Sequence, residues 1–61
     1  YKPGEWNKCR KSRPVKEGEY LLRRKESDGG YVFELRKYQH TLGWEPGLFE
    51  VTDKTEFKEI V

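Results

Sequence analysis

Residues 19–38 read EYLLRRKESDGGYVFELRKY. Two alternating runs flank a glycine turn. In EYLLRRKE, residues 19–26, Tyr20 and Leu22 share one face, and Leu21 and Arg23 the other. Asp28-Gly29-Gly30 supplies the positive-φ positions of a tight hairpin turn. In YVFELRKY, residues 31–38, Tyr31, Phe33 and Leu35 alternate on one face, and Val32, Glu34, Arg36 and Tyr38 on the other. Period-two alternation bounded by turn residues marks a half-buried strand. The apolar line of the second strand is therefore expected to face the core, with Tyr38, beside Arg36, exposed.

Downstream, QHTLGWEPG, residues 39–47, reads as a connection punctuated by Gly43, Pro46 and Gly47, with Trp44 tucked onto the sheet. LFEV, residues 48–51, reads as a short third strand. The tail TDKTEFKEIV fits two patterns. Asp53 and Glu56 have capping-box spacing, and Phe57, Ile60 and Val61 would then lie on one helical face. Alternatively Asp53-Lys54 is a turn and EFKEIV a fourth strand, with Phe57 and Val61 facing one way; this strand reading is preferred. Upstream, residues 1–18 read as an irregular lead-in broken by Pro3-Gly4 and Pro14. The expected fold is one small, mainly β domain over residues 1–61. It is an antiparallel sheet of three to four strands, with a short C-terminal helix as the alternative ending. Its expected core is Trp6, Tyr20, Leu22, Tyr31, Phe33, Leu35, Trp44, Phe49, Val51 and Phe57.

Composition bounds what such a domain can do. At 61 residues and 39% charged, the chain has little apolar material, and so short a chain buries only about 60% of its unfolded surface. Two Trp, four Tyr and three Phe compensate, because large rings bury much area each. The single Cys9 makes no internal disulfide, and with the single His40 it falls short of a structural zinc site. A lone cysteine suits a reducing compartment. No apolar run is long enough to span a membrane. The chain starts at Tyr1 and holds no Met, so it reads as trimmed or as a piece of something longer.

The net charge of +2 is unevenly spread. Residues 1–25 carry nine Lys/Arg against three Glu, +6, and residues 26–61 carry four against eight acids, −4. The basic lead-in with its Trp6, WNKCRKSRP, could neutralise phosphates and stack bases. The competing reading is a solvated coil anchored by Trp6, and the low net charge favours it. The candidate binding residues are Lys8, Arg10, Lys11, Arg13, Arg23, Arg24, Lys25, Arg36 and Tyr38. Tyr31, Phe33 and Trp44 could form a stacking platform, but in so small a chain they are read as core. His40 has no positioned partner for general-base work and reads as a loop histidine. Cys9, between Lys8 and Arg10, could have a lowered pKa, although a thiol with no role is the preferred reading. No P-loop or metal cluster is present, so neither catalysis nor a cofactor is expected.

Trp6, seven residues, Pro14, a short spacer, Gly18 and the strand Glu19-Tyr20-Leu21-Leu22 resemble the opening of the phage and prophage proteins grouped as domain-of-unknown-function family 551. The likeness covers residues 6–38. It departs in the spacer, where Val15 replaces an acid, and in the tail, where either Phe57-Lys58-Glu59-Ile60 takes the place of a Trp-rich, Pro-containing end or that end is absent. The resemblance implies a small accessory protein in the cytoplasm of a bacterial host. In it Trp6, Pro14 and Gly18 would be structural frame, to which the core reading adds Tyr31, Phe33 and Trp44. The expected function is binding a protein partner, with homodimerisation through an open sheet edge allowed. The alternative is a nucleic-acid-binding domain with a basic three-stranded sheet, similar to the arm-type DNA-binding domains of phage integrases. A helix at the tail would favour that alternative.

Overall fold

The computed structural model describes residues 2 and 4–60. They form five antiparallel strands: β1 (Asn7–Lys8), β2 (Gly18–Lys25), β3 (Tyr31–Gln39), β4 (Gly43–Trp44) and β5 (Thr55–Glu59). The sheet order is β1-β5-β2-β3-β4. Mainly β architecture was expected, but the count is five rather than three to four, and the described residues hold no helix. The tail is strand β5, which enters between β1 and β2 and pairs with both. Val61, counted in both readings of the tail, lies outside the described residues.

Two short strands replace expected irregular segments. Asn7 and Lys8 pair with Phe57 and Glu56 inside the lead-in. Gly43 and Trp44 fold back on Gln39 and Tyr38 inside the connection. LFEV is a loop instead of a strand. β4 already occupies the neighbouring end of β3, and Phe49 turns inward as a buried plug while Leu48 stays exposed.

The long hairpin is present, but its faces are reversed. Residues 27–29 form the turn. It is closed by Glu26, whose N–H donates to the Gly30 carbonyl at 2.8 Å and whose carbonyl accepts from the Gly29 N–H at 3.1 Å. Gly29 takes φ +91°, the left-handed position of a three-residue hairpin loop. This odd-length turn pairs Leu22 with Glu34 and Tyr20 with Arg36. A two-residue turn at Asp28-Gly29 would pair Leu22 with Leu35 instead. One residue of register exchanges every side chain between faces. Tyr31, Phe33 and Leu35, expected in the core, are therefore 39%, 52% and 58% exposed. Arg36 and Tyr38, expected on the surface, are each 5% exposed.

The inner face is an aromatic cluster around the fully buried Leu22 and Phe57. Trp44 lies 5.0 Å from Tyr38, 5.4 Å from Phe57 and 5.8 Å from Tyr20, ring centre to ring centre. The Tyr20 and Phe57 rings meet edge to face at 5.9 Å, the arrangement the ring quadrupole favours. Tyr20 donates its hydroxyl to the Lys16 carbonyl at 2.7 Å. Cys9, just beyond β1, joins this core and lines one cleft with Trp44 of β4. The open sheet is thus curled until its two edge strands approach.

β3 contributes an ion pair to this interior. Arg36 binds Glu34 through its guanidinium and donates from Nη2 to the Phe49 carbonyl at 2.5 Å. Glu34 also accepts the Leu48 N–H at 2.7 Å. Gly47 lies against this pair so closely that a Cβ there would displace the two side chains. A buried charge is tolerable only when paired and hydrogen-bonded, and both conditions hold. The 50–55 loop is fixed by Thr55, whose buried hydroxyl accepts from the Thr52 N–H at 3.0 Å and donates to the Glu50 carbonyl at 3.2 Å.

Candidate binding surface

With the aromatic core on one side of the sheet, its other side carries a second set of large apolar groups. Cross-strand pairing sets Leu21 beside Leu35, and Arg23 beside Phe33. Trp6, leading into β1, reaches this outer face and lies 6.1 Å from the Phe33 ring. Tyr31 is 6.2 Å from Phe33. The Arg23 guanidinium stands 4.1 Å over Trp6 and 4.2 Å over Tyr31, while its Nε donates to Glu56 at 2.9 Å. Cation–π contact and ion pairing together hold the rings in place. Lys58 approaches Trp6 from the β5 side at 5.8 Å. The result is a line of Tyr31, Phe33 and Leu35 along β3, open to solvent, with Trp6 and Arg23 behind it.

The residues singled out from sequence do not converge. Lys8, Lys11 and Arg13 are exposed, as is Lys25 at the end of β2. Arg10 faces Asp53 at 3.8 Å across open surface. Arg23 belongs to the aromatic stack. Arg24 pairs with Glu26 at 3.1 Å, 5.3 Å over the Phe49 ring. Arg36 and Tyr38 are internal and leave the candidate surface. Of the expected frame, Pro14 is buried, Gly18 opens β2 at φ +147° and Trp44 packs on the core. Trp6, Tyr31 and Phe33 instead build the outer face. Leu35 completes it. Sequence reading assigned that residue to the core, and only the parity of the hairpin turn could have moved it outward.

Cys9 is not the activated thiol its basic neighbours suggested. Burial pushes its pKa up from 9.0 to about 12, the nearby Arg36 charge pulls it down less strongly, and Glu56 adds to the rise. The thiolate is the nucleophile, so this side chain is held in its unreactive form. The His40 N–H donates to Glu17 at 2.9 Å, and its exposed ring meets the Tyr38 ring at 5.6 Å. Among the described residues no group of His, Cys, Asp or Glu could hold a metal ion. No helix among them is long and apolar enough to cross a membrane.

Comparison with protein-family models, with curated proteins and with solved structures finds no match.

Proposed function

We propose that this chain is a non-catalytic binding module that docks a protein partner on the outer face of its sheet. It would be an accessory protein of the phage type that its Trp6, Pro14 and Gly18 skeleton resembles. The observation that carries this reading is the solvent-open line of Tyr31, Phe33 and Leu35. Large apolar groups clustered on an exposed face characterise interaction sites, and aromatic side chains with Arg are the usual anchors of protein interfaces.

Nucleic acid fits the same face less well. Base stacking needs free ring faces and uncommitted cations. Here Arg23 already covers Trp6 and Tyr31 and is neutralised by Glu56. Leu21 and Leu35 offer no stacking surface. The strand at β5 also departs from the strand-to-helix order of the arm-type domains.

The test is selection from a library of displayed protein fragments. Wild type is compared with the double variant Phe33→Ser/Leu35→Ser, alongside fluorescence anisotropy with single-stranded and duplex DNA. Fragments held by wild type and lost by a variant that melts normally support the proposal. Binding to DNA at about 50 mM salt that falls steeply as salt rises, and disappears with Phe33→Ser, replaces it with the nucleic-acid reading.

A further inference from the structure

β3 is nine residues long, yet on its outer side only its last part is covered. Tyr38 and Gln39 pair with β4, and the Lys37 carbonyl accepts the Glu45 N–H at 3.0 Å. That bond fixes which residues aim outward. Backbone groups alternate sides along a strand, so Tyr31, Phe33 and Leu35 point their N–H and C=O groups away from β2. Among the described residues these three have no ladder partner on that side. Their side chains are the exposed apolar line of the outer face. Edge strands are usually blunted by Lys, Pro, a bulge or a covering segment, and the stretch from Tyr31 to Leu35 has none of these.

We infer that the open edge of β3 pairs antiparallel with β3 of a second copy of this chain, centred on Phe33. The pattern is self-complementary about that point. Phe33 exchanges both backbone hydrogen bonds with its symmetry mate, and Tyr31 pairs with Leu35 on each side of the two-fold axis. All six side chains fall on the same face, so aromatic and branched neighbours meet across the new ladder. Within the paired stretch no like charges face each other, because Glu34 is turned inward to Arg36. A two-fold contact of this kind is closed and stops at two copies. It joins the two outer faces into one broader surface, so it extends the docking face proposed above without depending on it. Five residues of edge pairing bury less than the roughly 1,200 Å² of a standard interface, so the contact belongs to the weak, transient class. Its dissociation constant should be near 0.1 mM, about 5 kcal/mol.

Analytical ultracentrifugation from about 10 µM to 1 mM, a range spanning the weak class, tests the pairing together with amide hydrogen exchange at both extremes. The weight-average mass should climb from 7.4 kDa toward twice that value. Over the same range the amides of Tyr31, Phe33 and Leu35 should gain protection. Those of Val32, Glu34 and Arg36, which face β2, should be protected throughout. Phe33→Lys, which sets two ammonium groups beside each other at the axis, should keep the chain monomeric at every concentration. Ile60→Lys, just past the end of β5, should leave association unchanged. A mass fixed at 7.4 kDa overturns the inference. So does association that protects other amides, or that survives Phe33→Lys. None of these readouts involves a foreign partner, so failure here is distinct from failure of the docking proposal.

Discussion

At Arg36 a guanidinium sits inside an aromatic core, held by the Glu34 carboxylate and the Phe49 carbonyl. Removing one partner from a buried pair leaves the other uncompensated. Arg36→Ala should therefore cost about 3–5 kcal/mol of stability, read by urea unfolding. Arg36→Met combined with Glu34→Leu should recover most of that loss, because apolar replacement of the whole pair can be near neutral. The Cys9 thiol makes a prediction of opposite character. Its folded pKa, about 12, lies above the ordinary value of 9.0. The stability this difference contributes is complete below pH 9 and fades as pH rises toward 12, where the unfolded chain ionises first. Cys9→Ala should consequently lose less stability than wild type between those limits. Thiol reagents should label the folded wild type only at its rate of opening. Neither residue was legible in sequence. Arg36 looks like any surface cation until its register is known, and the basic neighbours of Cys9 are sequential rather than enclosing.

Within the hairpin the decisive variable is the number of residues in the turn. Both strands were readable from their alternation, and Asp28-Gly29-Gly30 marked the reversal. What alternation cannot supply is turn parity. Three loop residues in place of two move Tyr31, Phe33 and Leu35 to solvent and bring Val32, Glu34, Arg36 and Tyr38 inward. β3 read alone has its more apolar side outward. The choice is made by β2 and β5, whose Tyr20, Leu22 and Phe57 supply the stronger inner face. Alanine substitution separates the two arrangements. Tyr38→Ala should cost about 3–5 kcal/mol, as large buried aromatics do. Phe33→Ala should change stability by less than about 1 kcal/mol, being a surface substitution with partial ring contacts. The reverse order would return the apolar line of β3 to the core.

For the molecule as a whole, composition foretold the economy of the design: a small domain whose core is aromatic. Calorimetry should show one transition with an unfolding enthalpy of roughly 40 kcal/mol near 60 °C, the value expected for so short a chain. The sheet order was less accessible, because nothing local says which strands the segment from Thr55 to Glu59 will join. Deleting residues 55–61 should abolish folding altogether, seen as collapse of amide dispersion by NMR. It removes the fully buried Phe57 and the ladder that both β1 and β2 require.

The same placement governs how the chain acquires its shape during synthesis. β5 leaves the ribosome after every strand it must join, yet its position is interior to the sheet. The hairpin of β2 and β3 can form early, but until β5 arrives it presents one unfilled flank and an aromatic surface without its central ring. Closure then requires pairing Asn7 with Phe57, nearly the full length of the chain apart. Such non-local closure slows folding relative to local topologies of equal size. Maturation is thus timed by the arrival of β5, and the half-made sheet is the state a cellular chaperone would meet.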